Sequence, residues 1–405
     1  MKINKNELIQ SFIENLMNVR KEPEFFRDEE KLKYAIDEEG KPSIKLAIGN
    51  MPLDYDLWDG LRNPATVGLH PAGIPEIWEF YANRRKTKVD EVGRPSLFQV
   101  PKTFDYAKST YNRAVIISVM LPFSENIIGD YVSQIIEKKG GSSYTFASMY
   151  NDINKTIDKA VTRVAIDMVT DDNEAIVIPM TGENVNALST EAIPQTKQGI
   201  SHGPSKGGNY PQKSIGALLG LGQFGISRIV FRDEIESGKV RRYTGPIRSI
   251  VVFDKDKLIT DGSEDTIFPT AAWRTFLKRL FDFTDTDSEI NQYRFCAHLP
   301  QNDKGCNKCV ESCPSGAQPS SAPLDNGEYS EQVINQTHRF WDSKLQFDFG
   351  KCTDERGQMT GMFPEWSCAR CVMICANQGI RRKNAVQFFY QKMKDMTSEA
   401  SPILL

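Results

Sequence analysis

The cysteines constrain this chain more than any other feature. All eight fall between Cys296 and Cys375, and the first 295 residues contain none. Disulfide frameworks belong to small secreted domains. This chain has 405 residues, and its opening stretch, Met1 to Arg20, is amphipathic and charged, with neither a signal-peptide core nor a twin-arginine signal. It is therefore expected to be cytoplasmic, and clustered thiols in that setting point to metal.

Spacing says more than number. The first group, Cys296, Cys306, Cys309 and Cys313, reads C-x9-C-x2-C-x3-C and is followed by Pro314. The second, Cys352, Cys368, Cys371 and Cys375, reads C-x15-C-x2-C-x3-C, with Ala376 where the first group has proline. Each is a version of the bacterial run C-x2-C-x2-C-x3-C-P with its first gap enlarged. In that run a tight loop wraps three thiolates around one four-iron cluster, while the fourth cysteine opens the next helix and reaches the other cluster. The spacing thus predicts one [4Fe–4S] cluster on Cys296, Cys306, Cys309 and Cys375. A second is predicted on Cys352, Cys368, Cys371 and Cys313. Zinc is the competing metal, since two C-x2-C pairs make a four-thiolate site. It would leave four cysteines unused and does not account for the x3-C extension in both groups. Two clusters in series conduct electrons, but potentials of about −700 to +450 mV do not name the acceptor.

Composition limits the partners. With 50 basic and 53 acidic side chains the net charge is −3, so no phosphate-tracking surface is implied and no nucleic-acid partner is expected. No apolar run approaches the ~18–20 residues of a membrane span. At 40% hydrophobic the chain is globular, and its length suits two or three domains.

Periodicity predicts an amino-terminal helix with Ile9, Phe12, Ile13 and Leu16 on one face. Residues 51–102, dense in Pro, Gly and aromatics, read as an irregular arm. A strand is expected at Ala114–Met120, then a helix carrying Ile153, Ile157, Val161, Val164 and Met168 behind a cap at Asn151 or Asp152. A strand at Ala175–Ile178 precedes a long polar loop to Gln212. Ser214–Gly225 reads as an apolar, glycine-punctuated helix, followed by strands near Arg228–Phe231 and Ser249–Phe253. A last amphipathic helix carries Val386, Phe389 and Met393. The resulting division is a cap (1–104), an α/β unit (105–285), a cysteine module (286–383) and a terminal helix and tail (384–405).

Three smaller motifs are weaker. Gly220-Leu221-Gly222-Gln223-Phe224-Gly225 is a literal G-x-G-x-x-G. A dinucleotide fingerprint has a strand before it and a helix after it, whereas here the order is reversed. Glycines that let a helix end approach another backbone or a flat cofactor are the better reading. His70-Pro71-Ala72-Gly73 is half of a D-x-H-x-x-G cobalamin motif, with Gly68 in the aspartate's place, so His70 reads as structural. Lys239, Arg241 and Arg242 read as a solvated turn. Tyr144, Tyr150 and Tyr210 are candidate acids, because a tyrosine beside a cationic side chain becomes a better proton donor.

Together these segments resemble the catalytic subunit of corrinoid-dependent reductive dehalogenases, a superfamily shared with epoxyqueuosine reductases. The resemblance rests on Phe295-Cys296, on the run from Cys306 through Cys309 and Cys313 to Ala317, on Phe347 to Cys352, and on Cys368 to Cys375. Upstream, Leu219-Gly220-Leu221-Gly222-Gln223 is similar to the family's Ala-Gly-Leu-Gly-Glu stretch. It implies an α+β protein, with a nitroreductase-like core holding base-off cobalamin beside a ferredoxin-like domain with two [4Fe–4S] clusters. Gly220, Gly222, Gly225 and Tyr210 would contact the corrinoid. Electrons from an external low-potential donor such as ferredoxin or flavodoxin would pass through both clusters to cobalt, where a small halogenated organic substrate loses halide and is protonated. Tyr150 is the first choice as acid and Tyr144 the second. The family's basic partner position is held here by Ile226, and Arg228 is the nearest arginine. The alternatives are an epoxyqueuosine reductase-like enzyme acting on tRNA, whose aspartate before the glycine motif is missing from Gly207 to Pro211, another divergent corrinoid reductase, and a two-cluster electron-transfer protein.

Overall fold

A computed structural model describes residues 4–20, 33–53, 78, 103–129, 132, 144–170, 172–178, 212–224, 229–236, 239–256, 266–267, 308–313 and 370–381. Its centre is a run of β-branched residues. β2 (Arg113–Met120) and β7 (Ile247–Asp254) are buried along their whole length and pair antiparallel in full register, Arg113 opposite Asp254 and Met120 opposite Ile247. A near-continuous apolar run rich in Val and Ile, rather than alternation, is what a strand covered on both faces requires, and the one serine in each, Ser118 and Ser249, bonds to the other.

Around this pair the sheet runs β3-β7-β2-β1-β8, with β1 at Lys45–Pro52, β3 at Asn173–Ile178 and β8 at Thr266–Ile267. Only the short β1–β8 contact is parallel. One face carries Leu46, Ile48, Val115, Ile117, Val119, Ile250 and Val252, which share a core with helices α1 (Lys5–Arg20) and α3 (Tyr144–Asp167). Helix α1 contributes Leu8, Phe12 and Leu16 at helical spacing, and α3 contributes Ile153, Ile157, Val161 and Val164. The other face is closed by α4 (Gln212–Leu218) and by Trp78, whose ring meets Phe253 at 4.8 Å and Tyr111 at 5.9 Å. Tyr111 follows a short helix, α2 (Phe104–Thr110), and ends it in an extended conformation.

A second sheet, β4-β5-β6, comprises β4 (Gln223–Phe224), β5 (Val230–Glu236) and β6 (Lys239–Tyr243). Lys45 of β1 ties it to the first, its Nζ 2.5 Å from Glu234 and stacked 3.9 Å over the Tyr243 ring. Two helices from the cysteine region complete the described residues: α5 (Lys308–Glu311) and α6 (Arg370–Arg381).

Several expectations change. The cap of residues 1–104 is not a separate layer, because β1 pairs with β2 across that boundary and α1 packs on α3. The first residues of the supposed irregular arm, Met51 and Pro52, end a strand. Helix α3 starts at Tyr144, so Asn151 and Asp152 lie inside it; Asp152 instead forms an ion pair with Lys33. The cap-forming chemistry of Asn151 and Asp152 concealed the earlier turns, where Phe146, Met149 and Tyr150 keep the helical spacing. Helix α4 stops at Leu218 rather than running to Gly225. The expected terminal helix around Phe389, and all four histidines, lie outside the described residues.

Candidate metal centre

Of the eight cysteines, Cys309, Cys313, Cys371 and Cys375 are described; Cys296, Cys306, Cys352 and Cys368 lie outside the described residues. The first two stand at the carboxyl end of group one: Cys309 buried within α5, Cys313 partly buried just beyond it. The other two stand within α6, partly buried and four residues apart, hence on one side of that helix. α5 packs against α6, and the Arg370 guanidinium of α6 donates to the Ser312 carbonyl at 3.5 Å. Cys309 of the first group and Cys371 and Cys375 of the second, distant in sequence, thus stand on adjoining helices, with Cys313 just past the end of α5.

Among the described residues no three metal-ligating side chains converge. Each predicted cluster set has only two members there: Cys309 and Cys375 of one, Cys313 and Cys371 of the other. The donors described are thiol sulfurs, the atom type an iron–sulfur cluster takes, from two packed helices and the turn after the first.

One expectation about the second group changes. Its last cysteine does not open a helix: α6 begins at Arg370 and passes through Cys375 without a break. Ala376 follows because position 376 is fully buried in the main core together with Met373. A proline there would lose its backbone hydrogen bond and clash with the preceding turn, at a cost of about 3 kcal/mol. In the first group α5 has already ended at Glu311, and Pro314 lies beyond it.

The residues 239–242 are also not a solvated turn. They form β6, and Asp233 of β5 stands directly opposite Arg242. The Arg242 guanidinium binds both Asp233 carboxylate oxygens at 2.7 Å and lies 3.8 Å from the Phe231 ring centroid. Its remaining arm, Nη1, donates to Cys375 Sγ at 3.5 Å. Burial alone would lower the Arg242 pKa, but the Asp233 carboxylate overrides it, the Cys375 sulfur adds to the effect, and the net shift is upward. The guanidinium is therefore charged at every working pH. Sequence reasoning missed this residue. The available signal was Ser237-Gly238 between two alternating charged runs, which is hairpin chemistry.

The glycine motif is partly described. α4 ends in a Schellman cap: Leu221 N–H donates to the Gly216 carbonyl at 2.8 Å and Gly220 N–H to Ala217 at 3.0 Å. Gly220 sits at φ 80°, the left-handed conformation this cap demands. At Gly222 a Cβ would stand 2.6 Å from the Phe231 carbonyl oxygen, so β5 approaches too closely for any side chain. Among the described residues nothing lies within 4 Å of a Cβ on Gly220, so conformation rather than crowding is what calls for glycine there. Gly225, Arg228 and Tyr210 lie outside the described residues. Tyr144 and Tyr150 occupy the first two turns of α3, and their side chains lie outside the described residues.

Comparison with protein-family models, with curated proteins and with solved structures finds no match for this chain. Among the described residues no helix is long and apolar enough to cross a membrane.

Proposed function

We propose that the chain is a reductive dehalogenase-like oxidoreductase, with a nitroreductase-like core and a ferredoxin-like module. Electrons from an external donor such as ferredoxin or flavodoxin would cross two [4Fe–4S] clusters to a base-off cobalamin. The observation that carries this reading is the pair of C-x2-C-x3-C groups, together with the packing of α5 on α6. When bound, the corrinoid would supply the low-potential cobalt at which halide leaves a small organic substrate.

The chain's own residues have separate tasks in this reading. The eight cysteines hold the clusters, each group lending its last cysteine to the other's set. The helix end at Gly220, with the neighbouring Gly222, Gly225 and Tyr210, would contact the macrocycle. The Tyr150 hydroxyl, or that of Tyr144, delivers a proton to the substrate carbon, with Arg228 as the cationic neighbour that eases its release.

A second reading, a two-cluster electron carrier, is favoured by one observation: the Schellman cap and the contact with Phe231 explain Gly220 and Gly222 without any cofactor. Metal analysis separates the two. Protein prepared without oxygen and supplied with cobalamin should hold about one cobalt and about eight iron per chain. Eight iron without cobalt leaves the carrier, and zinc in place of iron overturns both.

A further inference from the structure

We infer that Arg242 is a positioning residue for one iron–sulfur cluster, raising its reduction potential through the hydrogen bond to Cys375 Sγ. The inference rests on the proposed function for the cluster itself; the arginine's placement rests on geometry alone. Arg242 is held from three sides: the Asp233 carboxylate opposite it, the Phe231 ring beneath it, and the Cys375 sulfur at its remaining arm. Its side chain is only 11% exposed and that of Asp233 4%, so neither charge is screened by bulk water.

β6 also packs directly against α6, which fixes the guanidinium to the helix that carries the sulfur. A buried cation was not needed to close this interface. Hydrophobic pairs of similar volume commonly serve as well or better. The charge does have a consequence for a ligand. A cluster gains negative charge on reduction, and an N–H donor with a positive charge at a ligating sulfur stabilises the reduced form. Asp233 attenuates this field from the Nε–Nη2 edge of the guanidinium, while Nη1 is the arm at the sulfur. On the ligand sets predicted by spacing, the affected cluster is the one on Cys296, Cys306, Cys309 and Cys375, and the second is untouched.

The test is a potentiometric titration of the anaerobically prepared full chain, followed by electron paramagnetic resonance of the reduced clusters. Two variants are compared with the native protein: Asp233→Asn, and Asp233→Asn combined with Arg242→Met. Asp233→Asn keeps the guanidinium and removes its counter-charge, so one of the two midpoint potentials should shift upward. The double variant buries no unpaired carboxylate, and the same midpoint should shift downward, below the native value. A packing role alone would move neither potential in this order. Full iron content with unchanged or oppositely ordered midpoints overturns the inference and leaves the proposed function standing. Should the double variant lose its iron, Asp233→Asn decides, and no upward shift overturns the inference. Absence of iron from the native protein overturns the proposed function and this inference together.

Discussion

At the scale of single residues, two glycines in one short segment answer to different demands. Gly222 is constrained by space: its missing Cβ would lie 2.6 Å from a carbonyl oxygen of β5 and 2.9 Å from a Val230 methyl. Gly222→Ala should therefore cost about 1–3 kcal/mol, the overpacking range, read as a lower denaturant midpoint. Gly220 is constrained by conformation, since its φ of 80° penalises an L side chain by about 1–2 kcal/mol. Gly220→Ala at moderate temperature should leave the fold intact. Under the proposed function it should lower cobalt per chain without lowering iron; unchanged cobalt would assign this glycine to the helix cap alone. Tyr150→Phe belongs to the same scale. It should lower turnover while cobalt and iron per chain stay at native levels, and unchanged turnover would move the acid to Tyr144 or Tyr210. Of these residues the sequence made the glycines visible as punctuation, and their approach to another backbone was a fair reading. Arg242 was hidden because a charged triplet in isolation reads as solvated, and only the opposing Asp233 across a hairpin gives it a buried partner.

At the scale of elements, the central strands were legible and their ends were not. Runs rich in Val and Ile define β2 and β7, but the polar residues that terminate them look like loop residues in sequence. Arg113 and Asp254 are instead a buried cross-strand ion pair, each 1% exposed, with Nη2 and Oδ2 2.6 Å apart. Arg113→Met would leave the carboxylate buried with its cationic partner gone and should cost about 3–5 kcal/mol. Combining it with Asp254→Leu should recover most of that loss, and chemical denaturation of both variants measures the difference. A double variant no more stable than the single one would assign the stability to the other contacts of Asp254, such as its bond from the Asp256 N–H. The helices show the same division. The stripe at Ile153 to Val164 predicted α3 and continues back through Tyr150, Met149 and Phe146, but Asn151 and Asp152 carry cap chemistry, so the start was misplaced by about two turns. For the cysteine helices, spacing predicted an exchange of last ligands. Cys375→Ser should then remove or distort the cluster of the first group, with roughly four of eight iron affected. The signals of the cluster on Cys352, Cys368 and Cys371 should persist. Loss confined to the cluster of its own group would overturn the exchange.

At the scale of the molecule, the segmental division drawn from composition gives way to one shared core. Composition marks boundaries where proline, glycine and cysteine content changes, but a core is assembled from contacts distant in sequence. Helix α1 from the chain's start, α3 from its middle and Met373 and Ala376 of α6 all bury side chains in the same cluster. Helix α6 is thus anchored by apolar packing as well as by any metal its cysteines hold, and it cannot be lost without opening the core. Removal of residues 1–20 tests this unity from the other end. Phe12, Leu16 and Val19 are each at most 1% exposed, and burial of such a side chain is worth about 1.5–3 kcal/mol. Three such contributions approach the whole stability of a typical domain, about 5–15 kcal/mol. The truncated chain should therefore lose cooperative unfolding or aggregate, as followed by circular dichroism and size-exclusion chromatography. Because α6 shares that core, truncation should also lower iron retention although no cysteine is touched. A truncated chain with native unfolding and full iron would restore the amino-terminal segment to the status of a detachable cap.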